Sequence, residues 1–322
     1  MKTPRFWHHN GLLAQIILPL SVIYFLAKRI KLKKTTPHKF NLKIICIGNV
    51  VAGGAGKTPT AIAGRKILQK SYPHAKITFV SKGYKGKISE PTLVDLKIHK
   101  PQDVGDEAIL LALNGDAIIG KDRFEAVKFA ESLGYEIVIL DDGLHDNRII
   151  KDKSFVVIDG KYGFGNGLLF PAGPMRDRLD FAVNNADEII LIGKDEKKAF
   201  VKVKHATRKN YHAIEAKIKN TNELSKEINY IAFAGIGRPS KFYDSLNELG
   251  LKIIQTVDFA DHHNYSEEDI FYLKDLAKVN VAKLVTTEKD FVKLPENFKT
   301  EVDCLKIEII FEDSRISEVL RF

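Results

Sequence analysis

The strongest constraint on the fold is the passage from Ile44-Ile45-Cys46-Ile47-Gly48-Asn49 into Val50-Val51-Ala52-Gly53-Gly54-Ala55-Gly56-Lys57-Thr58-Pro59. A short apolar run ending in glycine reads as a buried strand, and a glycine-rich loop closing on Gly-Lys-Thr reads as the entry to a helix. Strand, loop and helix in that order outline a phosphate-binding loop, whose consecutive backbone N–H groups curl around a phosphate chain. Val51, Ala52, Gly53, Gly54, Ala55, Gly56, Lys57 and Thr58 are then the nucleotide-binding set. Lys57 would reach the β- and γ-phosphates, and the Thr58 hydroxyl would sit on Mg²⁺. The usual G-x-x-x-x-G-K-[ST] spacing needs glycine at position 51, where this chain has Val51; the Gly53-Gly54-x-Gly56 cluster is the expected compensation. Pro59 suits a helix start, because its missing N–H would have no intrahelical partner there. A plain glycine-rich turn before a helix is the bland alternative.

The same alternation continues. Apolar runs at 75–81, 117–119, 136–140, 154–159 and 187–192 are interleaved with helical patterns at 58–71, 106–113 and 123–133. Continuous apolar strands separated by helices predict a mainly parallel sheet covered on both faces. The composition shifts near Asn220. Beyond it, strand patterns at 230–234, 252–257, 283–286 and 305–310 and helical ones at 240–249 and 266–278 predict a second, smaller α/β unit. Cys46 and Cys304 each lie in an apolar run, as core residues of a reducing compartment do.

The formal net charge of +9 favours anionic partners: nucleic acid, phosphorylated substrates or an anionic membrane surface. Residues 11–27 are almost uncharged and are followed by Lys28, Arg29, Lys31, Lys33 and Lys34. This apolar run is shorter than the roughly 20 residues of a spanning helix, and Pro19 interrupts it. A helix lying in the interface with a polybasic tail on anionic lipid is the preferred reading. A single span, which the basic cluster would orient with the rest of the chain in the cytoplasm, and a buried core helix are the alternatives. A connector at 35–41 follows.

Four further constellations carry chemistry. Asp141-Asp142-Gly143 ends an apolar run, where open α/β sheets bind ligands and where a Mg²⁺-holding carboxylate belongs; a strand-ending turn uses the same residues. Asp103-Val104-Gly105-Asp106-Glu107 supplies either helix capping or a general base. Phe170-Pro171-Ala172-Gly173-Pro174-Met175-Arg176-Asp177-Arg178 is either an anion clamp or a surface turn. Asp261-His262-His263-Asn264-Tyr265 is either a helix-entry loop or a histidine partnering a carboxylate across a cleft.

Taken in order, these segments resemble the tetraacyldisaccharide 4′-kinases, the lipid A 4′-kinases of Gram-negative bacteria. Gly48-Asn49, Gly53-Gly54-x-Gly56-Lys57-Thr58-Pro59, Ser81-Lys82-Gly83-Tyr84, Val104-Gly105-Asp106-Glu107, Asp122-Arg123, Asp141-Asp142-Gly143, Pro171-Ala172-Gly173-Pro174-x-Arg176 and Phe259-x-Asp261-His262 carry the resemblance. It implies transfer of the ATP γ-phosphate to the 4′-hydroxyl of a lipid A disaccharide 1-phosphate precursor, at the cytoplasmic face of the inner membrane. ATP and Mg²⁺ are the implied cofactors, and neither nucleic acid nor an obligate protein partner is expected. The implied fold is a phosphate-loop NTPase-like sheet flanked by helices, with a smaller α/β domain and an N-terminal membrane-associating helix. The expected divisions are residues 1–35 for the helix and basic cluster, 36–225 with 303–322 for the kinase domain, and 226–302 for the smaller domain.

Carried over by position, Lys57, Asp106 and His262 are catalytic, with Asp106 the base and His262 its support. Glu107, Arg123 and Arg176 bind substrate, while Thr58, Asp141 and Asp142 hold the metal. Asp177 stands where the family often has Glu, and Leu144-His145 replaces its familiar Phe-Gln. A phosphate-loop ATPase acting as a partner-regulated switch is the rival. Ala52 stands where many such ATPases carry Lys, and Thr287-Glu288-Lys289-Asp290 lacks the spacing and the Asn of a guanine-reading motif.

Overall fold

Strand β1 (Lys43–Gly48) sends Ile44 and Cys46 into one hydrophobic core and Ile45 and Ile47 into another. Successive side chains of a strand point to opposite faces, so a strand buried on both sides must be apolar throughout. The computed structural model, which describes residues 4–33 and 35–322, repeats this split in β2 (Ile77–Ser81), β5 (Ile137–Asp141), β6 (Lys153–Asp159) and β7 (Glu188–Ile192). With β3 (Thr92–Leu93), β4 (Ala117–Ile119), β8 (Ile214–Asn220) and β13 (Ile307–Phe311) they form a nine-stranded sheet in the order β13-β8-β7-β6-β1-β5-β2-β4-β3. The inner strands are all parallel; only the edge strands β13 and β3 run antiparallel to their neighbours. Strands β9 (Asn229–Ala234), β10 (Lys252–Asp258), β11 (Lys283–Thr287) and β12 (Val302–Leu305) make a separate parallel sheet in the order β10-β9-β11-β12.

The single strand expected at 305–310 is two strands in two sheets. Residues 303–305, placed with the larger unit on sequence, pair with β11 in the smaller sheet, and β13 crosses back to the larger one. Asn222 stitches the crossing: its Nδ2 donates to the Cys304 carbonyl (2.8 Å) and its Oδ1 accepts from the Lys306 N–H (2.9 Å). Strand β8 escaped the sequence pattern because it lies next to the sheet edge, where Glu215, Lys217 and Lys219 alternate outward. The connector at 35–41 is not free chain. His38 bridges Ile149, and Phe40 is buried against Phe124. Cys46 and Cys304 are buried free thiols.

Pro19 does not divide the N-terminal helix, which runs unbroken through 22 residues, Leu12–Lys33. That is about 33 Å at 1.5 Å per residue, longer than the apolar run alone suggests. The basic cluster continues the helix, except Lys34, which lies outside the described residues. Ala14 and Ser21 are buried, whereas Leu12, Leu13, Ile16, Leu20, Ile23 and Leu26 are exposed. One side of the helix therefore rests on the protein and the other is an apolar stripe.

A buried ion pair organises the small sheet. Lys293 Nζ donates to Asp290 Oδ1 (2.6 Å), and the other carboxylate oxygen accepts from Gly235 N–H and the Thr287 hydroxyl. Both side chains are almost wholly removed from water. Removing one partner of such a pair strands a charge, so Lys293→Ala should cost about 3–5 kcal/mol of stability. Urea denaturation followed by circular dichroism measures it.

Candidate active site

The phosphate loop leaves the carboxyl end of β1, and Val51 explains its own presence there. Val51 is buried and forms a bridge with Met175, Ala52 N–H donates to the Pro174 carbonyl (2.7 Å), and Arg176 N–H donates to the Val50 carbonyl (2.8 Å). The first part of the loop is thus strand-like, and a β-branched residue suits it. The turn falls to Gly53 (φ 103°) and Gly56 (φ 87°), in the left-handed region that favours glycine. A side chain at Gly53 or Gly54 would meet open space, so the loop is free to take a ligand against its backbone. Helix Lys57–Ser71 starts directly after it.

Beside the loop, β5 ends at Asp141, in register with Ile47 of β1. Thr58 Oγ1 donates to Asp141 Oδ2 (2.7 Å), Arg176 Nη1 donates to Asp142 Oδ2, and Lys57 Nζ lies 3.9 Å from Asp142 Oδ1. Burial pushes the Asp141 carboxyl up to about 6, and the nearby charge of Glu107 adds to the effect. Burial acts on Asp142 in the same direction, but Lys57, Arg176 and Arg123 outweigh it and hold its carboxyl far below the ordinary range. Asp142 also adopts φ 64°, a strained backbone for a residue other than glycine.

These residues suit a magnesium nucleotide. Asp141 Oδ1 and Asp142 Oδ1 are buried without a hydrogen-bond partner, as are both amide atoms of Asn49 just before the loop. Unpartnered buried carboxylate oxygens are costly unless a cation takes them. Among the described residues no three His, Cys, Asp or Glu side chains cluster tightly enough to cage an ion. Mg²⁺ commonly binds in such a place through one or two carboxylates, with water and phosphate completing its shell.

The second cluster spans both lobes. Helix Asp106–Ala112 begins after Gly105 (φ 92°), where a Cβ would run into the Tyr84 carbonyl. That close approach packs the Gly83-Tyr84 turn against the helix start, and the Tyr84 ring meets His262 edge-on at 4.9 Å. Asp106 is buried, with both carboxylate oxygens 2.9 Å from His262 Nδ1. His263 turns instead to Asp269 (2.8 Å). Burial alone would raise the Asp106 carboxyl; the His262 hydrogen bond and the charge of Lys289 reverse this and hold it below the usual carboxylate range. His262 itself has φ 55°.

Sequence reasoning missed Lys289. Its Nζ donates to Glu107 Oε1 (2.9 Å) and lies 3.3 Å from His262 Nε2. Burial favours the neutral amine, but Glu107 and Asp106 raise the Lys289 pKa above its ordinary value, so it remains an ammonium. A carboxylate only accepts, so Nδ1–H points at Asp106, and a bond from the Lys289 ammonium takes the lone pair of Nε2, which also lies 3.8 Å from Asp261 Oδ1. The signal lies in Thr287-Glu288-Lys289-Asp290, which fails as a guanine-reading motif but sets Lys289 just after β11. Arg123, the first residue of helix Arg123–Ser132, is half-buried with its Nε unpartnered and adds positive charge near Asp142. Asp177 is buried, but its carboxylate faces Lys28 (2.8 Å) of the N-terminal helix.

A family model described as tetraacyldisaccharide-1-P 4′-kinase matches residues 13–321. The chain belongs to this family. It is 35% identical over 322 residues to the tetraacyldisaccharide 4′-kinase of Rhodospirillum rubrum, covering 99% of this chain and 97% of that one. It is 37% identical over 313 residues to the enzyme of the same name from Paramagnetospirillum magneticum, covering 96% and 94%. Among solved structures, LpxK from Aquifex aeolicus in complex with ATP superposes with a TM-score of 0.76 at 23% identity, covering 96% of this chain and 98% of that chain, a likeness of fold.

Lys289→Met should release the constraint on the His262 ring. Nitrogen NMR of labelled histidine should show a single Nδ1–H tautomer in the wild type and a mixture in the variant.

Proposed function

We propose that the protein transfers the γ-phosphate of ATP to the 4′-hydroxyl of a tetraacylated glucosamine disaccharide 1-phosphate, a step of lipid A biosynthesis. Membership of the kinase family supports the reaction. The observation that carries the site assignment is the buried Asp106–His262 pair, joined through Glu107 to the phosphate loop. Glu107 follows Asp106 in the chain; the charge of Lys57 acts on Glu107, and the charge of Glu107 acts on Asp141.

In this reading the 4′-hydroxyl oxygen forms a bond to the γ-phosphorus, the bond from that phosphorus to the β,γ-bridging oxygen breaks, and ADP leaves. Asp106 takes the hydroxyl proton. His262 Nδ1–H holds the Asp106 carboxylate in place, and Lys289 keeps His262 in that tautomer. Lys57 and Arg176 bring positive charge to the phosphates, which is most of what phosphoryl transfer asks of a protein. Thr58, Asp141 and Asp142 would hold Mg²⁺, which neutralises phosphate charge when bound. Glu107 and Arg123 line the acceptor side.

The N-terminal helix supports docking on an anionic membrane. Leu12–Ile30 has the length and composition of a membrane helix, but its buried Ala14 and Ser21 favour a helix lying along the protein with its apolar stripe in lipid. The cytoplasmic face of the inner membrane follows from the need for ATP. Net charge +9 suits both the lipid surface and two anionic substrates.

Purified wild type with ATP, Mg²⁺ and the acylated disaccharide 1-phosphate in detergent should yield the 4′-phosphorylated lipid. Lys57→Ala should abolish turnover, and Asp106→Asn should lower kcat by about 10²–10⁴. ATP hydrolysis stimulated by a protein, with no lipid product, would point to the switch ATPase instead.

Asp141 gives a separate check. With its carboxyl near 6, about half carries a proton at pH 6, and a cation requires the carboxylate. Calorimetry in buffers of different ionisation enthalpy should detect about half a proton released on Mg²⁺-nucleotide binding at pH 6 and almost none at pH 8.

A further inference from the structure

The segment 170–178 is held between two elements. On one side it is tied to the phosphate loop through the Val51–Met175 bridge and the Pro174 and Arg176 backbone hydrogen bonds. On the other it is tied to the N-terminal helix. Ser21 Oγ donates to the Leu169 carbonyl (2.8 Å) and accepts from Ala172 N–H (3.1 Å). Lys28 Nζ donates to the Arg176 carbonyl (2.9 Å) and to Asp177 Oδ2 (2.8 Å), and sits 3.4 Å from His145 Nδ1. Ala14, Ser21 and Lys28 recur every seven residues and so share one face of the helix.

Adjacent residues of the segment then act in opposite directions. Arg176 sends its guanidinium to Asp142 in the nucleotide site, and Asp177 sends its carboxylate to Lys28. The Asp177 side chain is only 2% exposed and the Lys28 side chain 18%, so this is not a solvent-screened surface pair. His145 is held below its usual pKa by burial, which outweighs the nearby Asp177. The ring therefore stays neutral, and Lys28 is the cation that balances the Asp177 carboxylate.

We propose that Lys28 is a positioning residue for phosphoryl transfer: from the N-terminal helix it fixes the backbone that aims Arg176 at Asp142, and so links docking of that helix to nucleotide binding. The proposal rests on the nucleotide reading above and adds the coupling. Such linkage is reciprocal: whatever helix docking adds to nucleotide affinity, the nucleotide must add to helix docking.

Trp7 is the only tryptophan in the chain and reports on this segment. It is buried, donates from Nε1 to the Pro171 carbonyl (3.0 Å) and packs edge-on against Phe170 at 6.2 Å. A non-hydrolysable ATP analogue with Mg²⁺ should change Trp7 fluorescence in the wild-type protein. In Lys28→Met the calorimetric Kd for the analogue should rise at least about fivefold, the low end of typical coupling. Its kcat at saturating lipid in detergent should fall, and Lys28→Arg should recover most of both. The double variant Ile16→Ser/Ile23→Ser, on the exposed stripe, should lose vesicle binding and keep the wild-type Kd. If Lys28→Met does not fold, Lys28→Met/Asp177→Asn removes the stranded carboxylate and should show the same rise in Kd. Wild-type Kd and kcat in the Lys28 variants, with only vesicle binding lost, would overturn the coupling and leave Lys28 a tether. A wild-type protein that fails to bind the analogue would overturn the nucleotide reading and the coupling together.

Discussion

The site depends on burying the central strands of the large sheet on both faces. Water is excluded from β5 and from β1 beyond Lys43, and acidic side chains gather at the carboxyl end of β5. Asp141 is the last residue of β5, and the glycine loop starts just beyond β1. Asp141 is buried and Asp142 partly so; Lys57 acts on both, while Arg176 and Arg123 favour Asp142. Asp141 has a hydroxyl and an orphan oxygen, and its raised pKa expresses that imbalance. Folding thus leaves two carboxylate oxygens without a hydrogen-bond partner at the point where the loop opens.

The small lobe supplies charge of the other kind. Lys289 enters from the helix after β11 and His262 from the loop after β10, and they meet Asp106 and Glu107 of the large lobe. Each lobe alone would carry uncompensated groups: two carboxylates on one side, an ammonium and an imidazole on the other. Further pairs, Lys241 with Asp159 (2.5 Å) and Lys161 with Asp244 (2.7 Å), brace the same boundary away from the site. The lobes are therefore matched by charge as well as by shape, and the strained backbones of Asp142 and His262 lie on either side of that match.

What was legible in the amino-acid order follows from range. The buried strands declared themselves because a two-faced strand is apolar at every position. The phosphate loop did so because positive φ and open backbone demand glycine. Val51 looked like a defect because its partner, Met175, is distant in sequence, and no local rule signals that pairing. The split at Lys306 was hidden for the same reason, since Asn222 is what separates the two strands. Asp106 stood out as an acid at a helix start, a place where capping is the commonest explanation; only the small lobe folding over it brings a histidine to its carboxylate. Lys289 lies in a recognisable tetrapeptide, but its partners Glu107 and His262 are distant in sequence, so no local rule gives it a role.

The same reasoning separates the two faces of the N-terminal helix. A helix that only anchored would need an apolar stripe and a basic end, and its inner face could be any packing surface. This one places a hydroxyl and an ammonium on its inner face, each bonded to backbone of the segment that carries Arg176. Polar groups buried at a contact add little stability over apolar ones, but they fix register, since a shift of one residue would leave them unpaired. Register is what a guanidinium aimed at a phosphate site requires, because small displacements at a reacting centre cost rate steeply. The outer face of the helix carries an exposed apolar stripe and the inner face carries bonds to that segment, and Lys28, which begins the basic end, bonds to the Arg176 carbonyl.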